Sequence, residues 1–160
     1  MPTQVTALFA DRLSAHAALE QLVQAGFTRD AISIAISEGT YAREFGGAPA
    51  ARWGRRPIRL SGILGGIASA MVKLPPAAGG FVLYAVGPLT TGIRRVLAGH
   101  GVRALETALE AVGLARNEAR FVGGGLRCGF IAVCVIANEN RARLATQLLE
   151  LSGGESLQAA

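Results

Sequence analysis

The stretch that most limits how this chain can fold runs from Gly62 to Ile93, GILGGIASAMVKLPPAAGGFVLYAVGPLTTGI, in which Lys73 is the only charge. Gly62, Gly66 and Ala70 are spaced four apart, as are Ser61, Gly65 and Ser69. On a helix these positions make two adjacent stripes without bulky side chains, where another helix backbone can approach closely. A single membrane span is excluded, because spanning needs ~20 apolar residues, and Lys73 and Pro75-Pro76 interrupt the run. The residue before a proline avoids the α region, so the chain must leave helix there. The expected form is a helical hairpin with Lys73 and the prolines at its tip. Gly79, Gly80, Gly87 and Gly92 supply close packing in the second arm. Dipping this hairpin into a bilayer would carry Lys73 toward hydrocarbon at a cost of ~3 kcal/mol or more. That cost favours packing against its own domain or a second copy over membrane association.

Charge is divided in a way that bears on partners. Between Phe45 and Leu105 stand eight Lys/Arg and no acid, while the remainder holds eight Lys/Arg and all eleven acids. The middle is therefore +8 and the rest −3, which sum to the formal +5 of the chain. Such a basic, apolar middle suits an anionic surface. Arg52, Arg55, Arg56 and Arg59 precede the apolar stretch and Arg94 and Arg95 follow it. These six are the candidate contacts to an anionic surface. As roles for the arginine cluster around Trp53, a solvated loop ranks first, anionic lipid headgroups second and nucleic acid third.

The two ends of the chain read as related units. Val5 to Phe9 is apolar and β-branched, Asp11 and Ser14 are candidate caps, and Ala15, Ala18, Leu19, Leu22 and Val23 stripe a helix that Gly26 ends. Ile32, Ile34 and Ile36 then alternate as a strand with one face on a core. FIAVCVI, from Phe130 to Ile136, is apolar on both faces and reads as a central strand; Asn138 then caps a helix from Glu139 to Leu151 that Gly153 stops. At an offset of 127, Ala10 matches Ala137, Asp11 matches Asn138 and Gly26 matches Gly153. ESLQ, after Gly154, is read as a short last strand. Two β-α-β halves predict an α+β chain, a ferredoxin-like β-α-β-β-α-β sandwich split by the Gly-rich helical hairpin. The divisions are 1–36 for the first half, 37–60 for an Arg-rich, loop-like linker, 61–101 for the hairpin, 102–129 for connecting helices and 130–160 for the second half. Those connecting helices run from Arg103 to Val112 and from Arg116 to about Gly123.

Three segments, VTALFADRLSAHAALEQLVQAGFTRDAISI, the middle with Ala85-Val86-Gly87-Pro88-Leu89, and NEARFVGGGLRCGFIAVCV, resemble the bacterial general stress protein family. Its members are labelled heat-induced or low-temperature-induced stress proteins. The resemblance implies a stress-linked protein with a β-α-β start and a Gly-rich centre, and supplies no catalytic residues. The Arg-rich segment from Arg43 to Arg59 departs from it.

No constellation announces a reaction. Gly99-His100-Gly101-Val102-Arg103-Ala104 fits a G-x-G-x-x-A fingerprint, but lacks a preceding strand and a following acidic ribose ligand. Gly123-Gly124-Gly125 is read as a sharp turn into the central strand rather than an anion nest. His16 and Glu20, four apart, are solvent-facing partners rather than a metal pair. Cys128 and Cys134, read on one strand, lie about 20 Å apart at ~3.3 Å per residue and cannot bridge. Two buried thiols without a disulfide suit a reducing compartment. MPTQVTALFADR lacks a basic region followed by an apolar core, so no signal peptide is read. The expected place is the cytoplasm, or the cytoplasmic face of the inner membrane as a peripheral protein. No catalytic, cofactor-binding or metal-binding residue is assigned. The expected function is a non-enzymatic, stress-associated interaction module that forms a homo-oligomer or joins a larger assembly. A small-molecule-sensing regulatory domain is the alternative, followed by nucleic-acid binding through the Arg-rich linker.

Overall fold

The computed structural model describes residues 3–45, 70–99 and 104–156. In chain order these form β1 (Thr3–Phe9), α1 (Arg12–Gln24), β2 (Ile32–Ser37), α2 (Glu38–Phe45), β3 (Val72–Lys73), β4 (Leu83–Val86), α3 (Thr90–Leu97), α4 (Leu105–Ala111), α5 (Arg116–Arg127), β5 (Ile131–Ala137) and α6 (Glu139–Leu151). The chain is mixed α+β, with an antiparallel five-stranded sheet in the order β1-β5-β2-β4-β3.

The two ends of the chain are built alike, as their echo predicts. Asp11 Oδ1 accepts the Ser14 N–H at 2.8 Å to start α1, and Asn138 Oδ1 accepts the Arg141 N–H at 2.9 Å to start α6. Gly26 ends α1 at φ 94 and Gly153 ends α6 at φ 93, a left-handed conformation that glycine adopts without a Cβ penalty. The chain then folds back, Phe27 N–H onto Leu22 O at 3.0 Å and Gly154 N–H onto Leu149 O at 2.9 Å. Arg141 joins the two units: its guanidinium lies 4.3 Å from the Phe27 ring centroid and donates to Ala25 O.

Two cores lie on opposite faces of one sheet. On the first, Val5, Ala7 and Phe9, Ile32, Ile34 and Ile36, and Ile131, Val133 and Val135 meet the buried stripes of α1 and α6. On the second, Leu8, Ala132, Leu83 and Ala85 meet Ile93 and Leu97 of α3, Leu105 and Leu109 of α4, and Val122 and Leu126 of α5. Each Val, Leu, Ile or Phe side chain among these taken wholly out of water contributes about 1.5–3 kcal/mol. β5 is buried on both faces, as its unbroken apolar run predicts.

Four expectations are corrected. The second arm of the hairpin is not a helix: residues 72–86 make a β-hairpin in which Val72 pairs with Ala85 and Lys73 with Tyr84, and β4 joins β2. Gly79 and Gly80 turn at φ 80 and 77, and the aromatic and β-branched run FVLYAV alternates its burial along β4. Lys73 therefore lies in a strand, 3.6 Å from Glu38, and not at the tip. The start of the linker is also ordered, because Ser37 Oγ accepts the Thr40 N–H at 3.1 Å and caps α2, while Thr40 Oγ1 donates to Gly129 O at 3.1 Å. Gly123-Gly124-Gly125 continues α5 rather than ending it. Cys128, the C-cap of α5, is exposed, and only Cys134 lies in β5 and is buried.

Candidate interaction site at the sheet edge

Among the described residues β1 closes one side of the sheet, with β5 as its strand neighbour. On its outer side the described residues supply one bridge, Leu8 with Glu155, made by Leu8 N–H to Glu155 O and Glu155 N–H to Leu8 O, each 2.8 Å. In an antiparallel ladder the backbone groups of alternate residues face opposite ways. Since Leu8 faces outward, so do the N–H and C=O groups of Gln4 and Thr6, whereas Val5 and Ala7 face β5.

This edge floors a groove of about 700 Å³ between α5 and α6. Glu118 and Phe121 stand on the α5 wall, Arg143 and Thr146 on the α6 wall, and Ser156 at the end nearest the Glu155 bridge. The Gln4 amide is fixed in place, because Nε2 donates to Val112 O at 2.7 Å, the C-cap carbonyl of α4. Its Oε1 is then buried without a partner. An acceptor left unmet in this way costs about 1–3 kcal/mol until a donor reaches it.

The sequence-derived contact residues fall in several places. Gly62, Gly65, Gly66 and Ser69 lie outside the described residues, as do Arg52, Arg55, Arg56 and Arg59. Ala70 is exposed in a turn, and Gly79 and Gly80 stand in open space at the β-hairpin tip. Gly87 and Gly92 do pack closely, but within the chain: a Cβ on Gly87 would come 2.6 Å from Ser33 Oγ, and one on Gly92 2.6 Å from Val112 Cγ1. Arg94 and Arg95 are exposed on α3. The G-x-G-x-x-A match falls mostly on residues 100–103, outside the described residues.

The thiols and histidine follow their surroundings. Burial pushes the Cys134 thiol up to about 11, and the Thr6 hydroxyl beside it works the other way without completing a hydrogen bond. A thiol so protonated is a poor nucleophile at neutral pH. His16 Nε2 meets Glu20 Oε1 at 2.9 Å on a half-exposed face of α1. Among the described residues no group of three His, Cys, Asp or Glu could hold a metal, and no helix is long and apolar enough to cross a membrane.

Sequence reasoning missed the groove because an edge exists only once strand order is known, and nothing local marks β1 as outermost. The available signal was the alternation in TQVTALF, which puts Gln4 and Thr6 together on one face between apolar neighbours. Comparison of the chain with family models, with curated proteins and with solved structures returns no match.

Proposed function

We propose that the protein is a non-enzymatic module that acts by contact, joining further copies of itself or a larger assembly through strand addition at the β1 edge. The groove carries this reading: backbone groups of Gln4 and Thr6 face outward along it, and the Glu155 bridge already pairs with that edge in antiparallel sense. The scaffold is a ferredoxin-like β-α-β-β-α-β sandwich in which the row beside β1 is begun by Glu155 and completed by the incoming strand, supported by the order β1, β5, β2 and by α1 and α6 sharing one face. The small-residue stripe of Gly62, Gly65 and Gly66 provides a second contact, supported by its spacing. A stress-linked role rests on the sequence resemblance.

Sedimentation equilibrium of four proteins tests this. Gln4→Pro removes an outward N–H without touching a β1–β5 bond, and proline is tolerated on an edge strand. Gln4→Ala removes the side chain alone. The wild type and Gln4→Ala are expected to self-associate, while Gln4→Pro shifts to a smaller species. An unchanged oligomer in Gln4→Pro sinks the edge contact, and loss of the oligomer only in the Gly62→Leu, Gly65→Leu, Gly66→Leu triple variant assigns assembly to the glycine stripe instead. A monomeric wild type at tens of micromolar removes self-association altogether.

Small-molecule sensing is the second reading, favoured by a groove within the usual ligand-pocket range of about 300–1,000 Å³ and by the unmet Gln4 Oε1. Ligand-dependent melting of the monomer supports it over assembly.

A further inference from the structure

Side chains alternate along β1, so Gln4, Thr6 and Leu8 share the face of the sheet that α3, α4 and α5 cover, while Val5 and Ala7 face α1 and α6. Gln4 and Thr6 are also the residues whose backbone groups point out of the sheet. A strand added there pairs residues with Gln4 and Thr6 and puts their side chains on that same face, with Cβ atoms about 4.5–5.5 Å from their partners. On that face stands the α5 wall of the groove, where Glu118 and Phe121 are one helical turn apart and Gln4 and Thr6 lie at the foot. The negative charge of Glu118 also helps to raise the Cys134 thiol, and Cys134 pairs with Thr6, which brings the carboxylate to the Thr6 row.

Of the three acids on α4 and α5, Glu106 meets Arg127 and Glu110 lies 3.9 Å from Arg116, but the half-buried Glu118 has no cation among the described residues. Gln4 Oε1 and Thr6 Oγ1, in the same lining, are buried without hydrogen-bond partners. The Phe121 ring adds a π face. Carboxylate, amide oxygen, hydroxyl and ring together suit a cation that carries several donors. We propose, building on strand addition at β1, that the α5 wall is a pocket for one lysine or arginine side chain, and that the strand this edge accepts is a basic one with that residue opposite Gln4 or Thr6. The apolar stem of such a side chain lies along Phe121 and Val122 while its head meets Glu118. The α6 wall asks for something else, because a residue opposite Val5 faces Ala142 and the exposed Arg143, where a second cation is repelled.

Three blocked hexapeptides, in which valine alternates with lysine, glutamine or glutamate, titrated against the full chain by fluorescence anisotropy test this. The lysine peptide is expected to bind roughly tenfold tighter than the glutamine peptide, from a partly exposed ion pair and a cation–π contact together, and the glutamate peptide to bind most weakly. The chain is formally +5, so its overall field favours the glutamate peptide, and a lysine preference reports the pocket. Glu118→Gln should erase the preference and leave the affinity for the glutamine peptide unchanged; its carboxylate has no ion pair among the described residues to lose, so the variant keeps its fold. Equal binding of the lysine and glutamine peptides to the wild type, or a lysine preference that survives Glu118→Gln, overturns the pocket and leaves strand addition standing. Binding of none of the three sinks strand addition itself, and the pocket with it.

Discussion

Gly123, Gly124 and Gly125 lie side by side inside α5, yet their surroundings differ. A Cβ on Gly125 would run into the methyl groups of Leu8, which is 3% exposed and has nowhere to move. One on Gly123 would come 2.7 Å from Glu106 Oε1, the end of a flexible side chain, and one on Gly124 would meet nothing within 4 Å. Gly125→Ala is therefore expected to destabilise by about 1–3 kcal/mol through overpacking against β1. Gly124→Ala should stabilise by roughly 0.5–1 kcal/mol, because the unfolded chain loses freedom that the helix never used. Urea unfolding of the two variants checks both signs, and a loss in each would mean that helix propensity is not what sets Gly124. The helical course of this run was within reach of the sequence: Ala119, Val122 and Leu126 keep an i, i+3, i+7 spacing straight through the glycines. Their composition hid it, since three glycines in a row look like a turn unless a neighbour pressing against them is known.

At the scale of elements, the parts of the chain that carry their own start and stop signals were legible. Asp11 with Gly26 and Asn138 with Gly153 bound α1 and α6 by hydrogen bonds that reach only three to five residues, so sequence spacing suffices. The hairpin of β3 and β4 was not, because its period-two pattern is four residues long and sits beside a glycine-rich run with the opposite bias. α4 and α5 are joined by a longer link, in which Arg127 meets both carboxylate oxygens of Glu106, the second at 3.1 Å, and lies 5.8 Å from the Phe81 ring centroid. The hydrogen bond from Arg127 holds the Glu106 carboxyl below its ordinary value of 4.5. A carboxyl depressed in the folded state contributes stability that is full above that ordinary value and is lost as pH falls through the folded one. Glu106→Gln should accordingly cost little more than a partly exposed ion pair is worth, about 1 kcal/mol or less at pH 7. The gap between variant and wild type should close as pH drops below about 4. Melting curves from pH 7 to pH 3 that stay a constant distance apart would show that the pair does not couple these helices through its charge.

At the scale of the whole molecule, one strand serves two cores. Ile131, Val133 and Val135 face α1 and α6, while Ala132 faces the layer of α3, α4 and α5, and both edges of β5 are bonded, to β1 and to β2. FIAVCVI announces that position in the sequence, since an antiparallel strand with a wet face would alternate. The second layer itself was not foreseeable from periodicity. Its helices are short, and what brings them over the sheet is the pairing of Ile34 with Val86, residues 52 positions apart, together with the turn at Gly87 against Ser33. This arrangement orders the opening of the molecule. β3 is two residues long, exposed and at the sheet edge, so its amides should exchange through local fraying. The amides of Val133 and Val135 lie opposite Ala7 and Val5, which face β5, so they are freed only by separating β1 from β5, which uncovers Val5, Ala7 and Phe9 of one core and Leu8 of the other. Native-state hydrogen exchange should therefore find those two among the slowest, with opening free energies equal to that of global unfolding. Exchange at Val133 as fast as at Lys73 would mean that the two layers come apart independently and that β5 holds neither.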